Sequence, residues 1–478
     1  MNAKKIIFLS SFLGVLFCSY AQIDHNSLGQ LNQIAYTSLS ISKSDPLLGT
    51  ARYTGMGGAM GAFGGDATTL KDNPAGVGTY RKSDLTFTPN VYIDNNGSVG
   101  FNVNNFAFVL KLRDSGNSSG YVTSSLGVGY NRLKNFSRFS DSKRMNLEQS
   151  MTDYIYLAGD YFYEDAYNAE LIDDNDESLF ARPIDNRLRY SETGSVNEWN
   201  LSYGVNISNL VYLGISTGFV NFNYKLKTMY DETNAVEKDS WYFDNKYEAV
   251  GNGFNFKLGA IIAPVDFLRI GLAFHTPTFY NNITEYLEEE IGDKYYPDDP
   301  LIRDMDYRSA LQTPLKAQGS LGILIGKRAI VGFEYQFEDF SAMRFSSDGI
   351  LLSKEMINDE MNISHTAKAG TEVIVINNKN AKLLLRAGFA FVSSPTKRLS
   401  SDVYSFSGNF QQYPLAQTQN SFYYTGGVGF RGKYFYADLA YMHQVKEEYL
   451  FEYLPLEDKP HNLKLHTNNI SATVGFRF

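Results

Sequence analysis

Ile470-Ser471-Ala472-Thr473-Val474-Gly475-Phe476-Arg477-Phe478 sets an apolar side chain at every second position, with Ser, Thr, Gly and Arg between them. A period of two is that of a β-strand, so Ile470, Ala472, Val474, Phe476 and Phe478 share one face. The same alternation runs through Leu268 to His275, Ala329 to Glu338 and Leu383 to Phe391. One face is aliphatic and aromatic; the other is mostly small or charged. Strands of soluble sandwiches alternate too, but average about 5–6 residues. Many segments here run about 9–13 residues, the length that crosses a bilayer at a tilt.

Fourteen segments read this way, near 84–92, 101–113, 121–131, 198–206, 211–228, 252–263, 268–279, 317–325, 329–340, 363–376, 381–392, 422–431, 434–445 and 468–478. Tight turns alternate with long connections at 132–197, 229–251, 280–316, 341–362, 393–421 and 446–467. That asymmetry predicts an antiparallel transmembrane β-barrel with short periplasmic turns and long outer loops. In hydrocarbon every backbone N–H and C=O must be paired within the protein, so the sheet must close.

Composition agrees. The 478 residues include 34 Tyr, 34 Phe and 40 Gly, but only 13 Pro and one Cys. Aromatics suit the interfacial girdles of a barrel. A disulfide scaffold needs many Cys, and a net charge of −9 is a poor start for binding nucleic acid. No apolar run approaches a membrane helix. Inward-facing charges are expected at Lys257, Arg269, Glu334, Glu338, Lys368, Glu372, Arg386, Asp438 and Arg477, with both signs present for pairing.

Residues 1–21 read as a secretory signal: Lys4 and Lys5, the apolar stretch Ile6 to Phe17, then Ser19-Tyr20-Ala21 as the cleavage site. Phe17 before Cys18 argues against a lipoprotein. Cleavage removes the lone Cys, and export to the outer membrane is the expected destination. The predicted domains are therefore the signal at 1–21, a plug at 22–83 and the barrel at 84–478.

The plug segment does not alternate. Leu28 to Leu39 suggests a short helix. Then follow Ala51-Arg52-Tyr53-Thr54-Gly55-Met56-Gly57-Gly58-Ala59-Met60-Gly61-Ala62-Phe63-Gly64-Gly65-Asp66-Ala67 and Asn73-Pro74-Ala75-Gly76. So many glycines let backbones bend and pack closely. A fourteen-strand lumen is too wide for its own side chains to fill.

This glycine-rich stretch, followed by Asn-Pro-Ala-Gly before the first strand, resembles the FadL/TodX family of outer-membrane transporters for hydrophobic compounds. Thr313-Pro314-Leu315-Lys316, His275-Thr276-Pro277-Thr278, Ser393-Ser394-Pro395-Thr396 and the terminal Phe478 are similar features. The resemblance implies a fourteen-strand barrel with an N-terminal hatch and passive uptake of fatty acids or aromatic hydrocarbons. It places Gly57, Gly58, Asp66, Asn73, Pro74, Ala75 and Gly76 in the hatch and conduit. It also implies an outer apolar capture groove and a sideways exit at a kinked third strand, where Gly127 and Gly129 would permit the kink. Phe478 is the expected signal to the barrel-assembly machinery, and outer-membrane lipid the surrounding partner.

For capture, Ile283, Tyr286, Leu287 and Ile291 lie at helical spacing, as a rim helix or a lip of the groove. Trp241 and Phe243 would wall the neighbouring loop. Gly214-Ile215-Ser216-Thr217-Gly218 fits a nucleophile elbow, but lies inside an alternating strand instead of a strand–turn–helix. No enzyme activity, cofactor or metal site is expected; the six His form no ligand pair of known spacing. Two alternatives stay open: haem uptake, on His461 and His466 with Tyr449 and Tyr453, and a structural or adhesive barrel.

Overall fold

The computed structural model describes residues 37–478 apart from 117, 158–159, 176, 181, 235–238, 294–299, 349, 352–360, 379–380, 398–414 and 452–460. The predicted signal at 1–21 and most of the predicted helix Leu28 to Leu39 lie outside the described residues; residues 37–42 are helical.

The chain forms one closed antiparallel barrel of fourteen staves. Six consecutive strands make the first six: β1 (Asp84–Ile93), β2 (Val99–Asp114), β3 (Tyr121–Leu147), β4 (Ile184–Ile207), β5 (Val211–Asn234) and β6 (Ser240–Val265). The seventh stave is β7 (Leu268–His275) continued by β8 (Phe279–Asp293), and the eighth is β9 (Leu301–Gln312) continued by β10 (Lys316–Ile325). Pro277 and Pro314 mark these two breaks, because proline cannot donate to the ladder. Next comes β11 (Ala329–Asp339), followed by short β12 (Arg344–Ser347), which pairs with β9, and β13 (Ile350–Leu351), which pairs with β12. The remaining staves are β14 (Ile363–Asn377), β15 (Lys382–Val392), β16 (Leu415–Arg431), β17 (Phe435–Phe451) and β18 (His461–Arg477). Pairing of β1 with β18, from Asp84↔Arg477 to Ile93↔Asn468, closes the ring. Ser83 and Phe478 exchange both backbone hydrogen bonds at the seam.

The alternation sorts as its period requires. Leu213, Ile215 and Phe219 on β5, and Phe254, Phe256 and Leu258 on β6, are exposed on the outer face. This is the lipid band. Further along the same faces stand Lys225, Lys227, Lys246 and Glu248, where the strands have left the hydrocarbon.

Here the structure corrects the predicted loops. Residues 132–147 and 184–197 continue β3 and β4, 229–234 and 240–251 continue β5 and β6, and 280–293 and 301–312 are β8 and β9. These strands carry polar outward residues above the band, so a hydropathy pattern tuned to lipid ends too early. Their inward faces enclose a packed core filled by the segment after β3. That segment contains a 3-10 helix (Met151–Leu157) and an α-helix (Asp160–Asn168). Phe162 meets Phe243 edge-to-face at 5.1 Å, and Trp241 packs on Tyr230 at 5.9 Å and Phe180 at 6.5 Å. A packed cap therefore sits over one side of the barrel mouth.

Candidate functional site

The hatch is built by local capping. Asn73 accepts from the Ala75 N–H (3.1 Å) and so caps the 3-10 helix Pro74–Thr79, with Pro74 in the first turn, where a missing N–H costs nothing. The Asn73 amide also donates to the Gly61 carbonyl at 2.7 Å. Ala75 packs with Tyr212 and Ile261 of the wall. Asp66 caps Ala67–Leu70 through the Thr68 N–H (2.9 Å) and accepts from Thr50 Oγ1 at 2.8 Å. Gly57 and Gly58 adopt φ of 60° and 73°, the left-handed region that favours glycine. Gly76 lies against Thr69 and Gly64, where a Cβ would meet the Gly64 Cα at 2.9 Å.

Wall glycines receive this backbone. A Cβ at Gly259 would come within 2.8 Å of the Ala75 nitrogen, and one at Gly271 within 2.6 Å of the Gly61 carbonyl. Gly332, Gly370 and Gly388 stand equally close to Ala59, Met56 and Gly57. Gly127 and Gly129, the expected kink, instead face Leu70 within fully paired strand.

Most of the expected lumen charges are paired. Lys368 Nζ lies 2.8 Å from Glu334, whose other oxygen accepts the hatch Gly61 N–H at 3.0 Å. Arg52 of the hatch holds Glu372 bidentately at 2.9 Å, Glu372 holds Arg386, and Arg386 holds Asp438 at 2.7 Å. Lys257 pairs with Glu198, Arg477 with Asp84, and Glu338 with Lys316. Arg269 donates to the Phe63 carbonyl. Ser216, of the elbow-like motif, donates to the Leu70 carbonyl at 3.1 Å and simply abuts the hatch.

Among the described residues, residues 39–46, a strap of the hatch, line two lumen cavities. The outer one, a vestibule of about 120 Å³, is lined by apolar Leu39, Leu48, Tyr423 and Met442 and by a charged group that includes Lys43, Asp45 and Lys134. The inner cavity, about 90 Å³, lies between Lys71, Asp72, Glu198, Lys257 and His275. The strap is tied to β3: the Asp45 N–H donates to the Leu133 carbonyl (2.8 Å), and the Asn135 N–H donates to the Asp45 carboxylate (3.4 Å). Asp66 and Asn73, singled out by the sequence, brace the hatch away from the vestibule. Lys134 and Arg138, which line it, were hidden in a stretch read as loop.

The wall beside the vestibule is incomplete. Pairing of β2 with β3 runs from Asp114↔Thr123 to Asn105↔Asn131 and stops there. Beyond that rung β2 pairs only with β1, and β3 only with β4. Two irregularities flank the rung. Thr88 pairs Asn105 but Pro89 pairs Val103, leaving Asn104 as an extra residue, and Leu133 is extra between Arg132 and Lys134. The β3 irregularity nearest that rung thus falls at 132–134, not at Gly127 or Gly129.

The predicted capture residues divide. Trp241, Phe243, Ile283, Leu287 and Ile291 all come together, fully buried in the cap core. Residues of the segment after β3, among them Ile155, Phe162, Ala166 and Leu171, pack in the same core. Tyr286 is on the other face, bonded to Glu288 at 2.8 Å. The predicted helix is strand β8: the spacing of four between Ile283, Leu287 and Ile291 is a multiple of two and fits either period. Of the residues suggested for haem, His466 points outward and stacks on His443, Tyr453 lies outside the described residues, and so does the side chain of His461.

These features define a class: a membrane-spanning β-barrel, plugged by its own N-terminal hatch. More particularly, its fold is that of the FadL/TodX-type barrels. No family model and no curated protein matches the sequence. Solved structures match nearly end to end. The P. putida toluene transporter TodX superposes with a TM-score of 0.55 at 13% identity, covering 91% of this chain and 99% of that one. A Pseudomonas aeruginosa FadL homologue gives 0.53 at 13% identity, with 91% and 98% covered. The Ralstonia pickettii toluene transporter TbuX gives 0.51 at 16% identity, with 92% and 100% covered.

Proposed function

We propose that this protein is an outer-membrane channel for passive uptake of a hydrophobic small molecule, exported behind a leader cleaved after Ala21. One observation carries the reading: the ladder between β2 and β3 ends beside a vestibule, above a lumen filled by the hatch. Straight passage along the axis is obstructed, whereas a sideways route meets only an interrupted wall. Ligand enters the vestibule past the cap, settles against Leu39, Leu48 and Met442, and leaves between β2 and β3 into the bilayer. No covalent chemistry is required, so the role is that of a channel, not an enzyme. The solved relatives named for toluene and FadL support a hydrophobic cargo. Phe478, exposed and stacked on Phe108, is the proposed contact for barrel assembly.

The test is uptake by liposomes carrying the purified barrel, offered a long-chain fatty acid, toluene or haem. Uptake of the fatty acid or toluene above that of protein-free liposomes is expected. Uptake of haem alone would replace the reading with haem capture. Uptake of none would favour an adhesive or structural barrel.

A further inference from the structure

The rung where β2 and β3 part is made of two asparagines, and more asparagines surround it. Asn105 Nδ2 donates to Asn131 Oδ1 at 2.8 Å, and Asn131 Nδ2 donates to Asn200 Oδ1 at 2.9 Å. On the other side Asn90 Nδ2 donates to Asn469 Oδ1 at 3.2 Å, and Asn469 lines the vestibule. Asn90 lies directly opposite Asn102, on the part of β2 that has no β3 partner. A row of neutral amides therefore leads from the vestibule to the break in the wall.

The row is incompletely bonded at the break. Asn102 is only 7% exposed, yet neither atom of its amide has a partner among the described residues. The Oδ1 atoms of Asn104 and Asn105 are likewise unpartnered. Buried polar groups are ordinarily hydrogen-bonded, because leaving them unpaired forfeits their hydration. Just outside stand Val99 and Phe101, 70% and 69% exposed, on the face that meets lipid. The break thus has a hydrogen-bonding inner rim and an apolar outer lip, an arrangement suited to a molecule with one polar end.

We propose that Asn102, with Asn104 and Asn105, forms a hydrogen-bonding throat that passes the head of a single-headed amphipath, such as a carboxylic acid or alcohol with an apolar tail. Neutral amides replace water around the head without holding it as an ion pair, so release into lipid stays easy. A bare hydrocarbon leaves the amides unsatisfied and gains nothing from them. Asn102 is then a specificity-determining residue. This inference rests on the channel reading above.

The test compares uptake of dodecanoic acid and of toluene by liposomes carrying wild-type, Asn102→Leu or Asn102→Gln barrels, with heat-modifiable gel migration reporting the folded state. The expected result is at least a fivefold fall in dodecanoic acid uptake for Asn102→Leu, unchanged toluene uptake, and substantial recovery in Asn102→Gln. Equal effects on both probes, or none on either, would overturn the throat. Wild-type uptake of toluene without dodecanoic acid would overturn it and leave the channel standing. Uptake of neither probe by the wild type would overturn both.

Discussion

Single glycines show how much depends on the neighbour across the lumen. Gly388 and Gly319 both sit in alternating wall strands. Gly388 faces inward, and an added Cβ would meet the hatch backbone at Met56 and Gly57, whereas at Gly319 it meets open space. Overpacking of this kind costs about 1–3 kcal/mol. Gly388→Ala should therefore lower the temperature at which the barrel loses its folded gel mobility, and Gly319→Ala should leave it unchanged. Equal behaviour of the two variants would mean that the hatch does not seat against the wall as described. Alternation alone ranks an inward small-residue change as mild; the seated hatch reverses that ranking.

At the scale of elements, the hatch is held to the wall by charge as well as by shape. Lys368 and Glu334 are fully buried side chains on adjacent staves, and Tyr53 and Gly61 of the hatch bond to them. Removing one partner of such a pair leaves an uncompensated buried charge, at a cost of about 3–5 kcal/mol. Glu334→Leu should destabilise the barrel and raise protease access to the hatch. Combining it with Lys368→Leu should recover much of the loss, since replacing a whole buried pair by apolar groups is often neutral. Urea melts of the two single variants and the double variant decide this; a double variant as weak as the sum of the singles would mean that the two side chains are not energetically coupled. The strand β8, where helical spacing predicts a helix, belongs to this scale too. In β8, Tyr286 was the one residue out of step with a period of two, and it lies on the opposite face from Ile283, Leu287 and Ile291.

Taken whole, the molecule is a barrel with two internal fillings, the hatch below and the cap above. Glu232 ties the cap together: its carboxylate accepts from the Met151 N–H at 2.8 Å and Trp241 Nε1 at 3.0 Å, and also from Ser150 and Tyr230. Burial pushes this carboxyl above the ordinary range, although those donors pull the other way. A raised carboxyl binds its proton more tightly folded than unfolded. Its contribution to stability is therefore fully present at low pH and falls as pH rises from about 4 through the folded pKa. Hydrogen exchange in Met151–Leu157 should accelerate as pH rises, after correction for intrinsic rates. Glu232→Gln should flatten that dependence. Protection that grows with pH would contradict the assignment.

Sequence by itself determined the strand faces, the even stave count and the short turns, because each depends on residues close together in the chain. Leu213, Ile215 and Phe219 are legible as a lipid face without any knowledge of partners. Tertiary structure alone decided the rest. Whether an inward glycine touches hatch backbone, whether Trp241 walls a groove or fills a core, and where β2 leaves β3 are all set by residues far apart in the chain. Asn105 and Asn131 each look like ordinary inward polar residues. Only their pairing as the last rung, beside the bulges at Asn104 and Leu133, turns a row of amides into the edge of an opening.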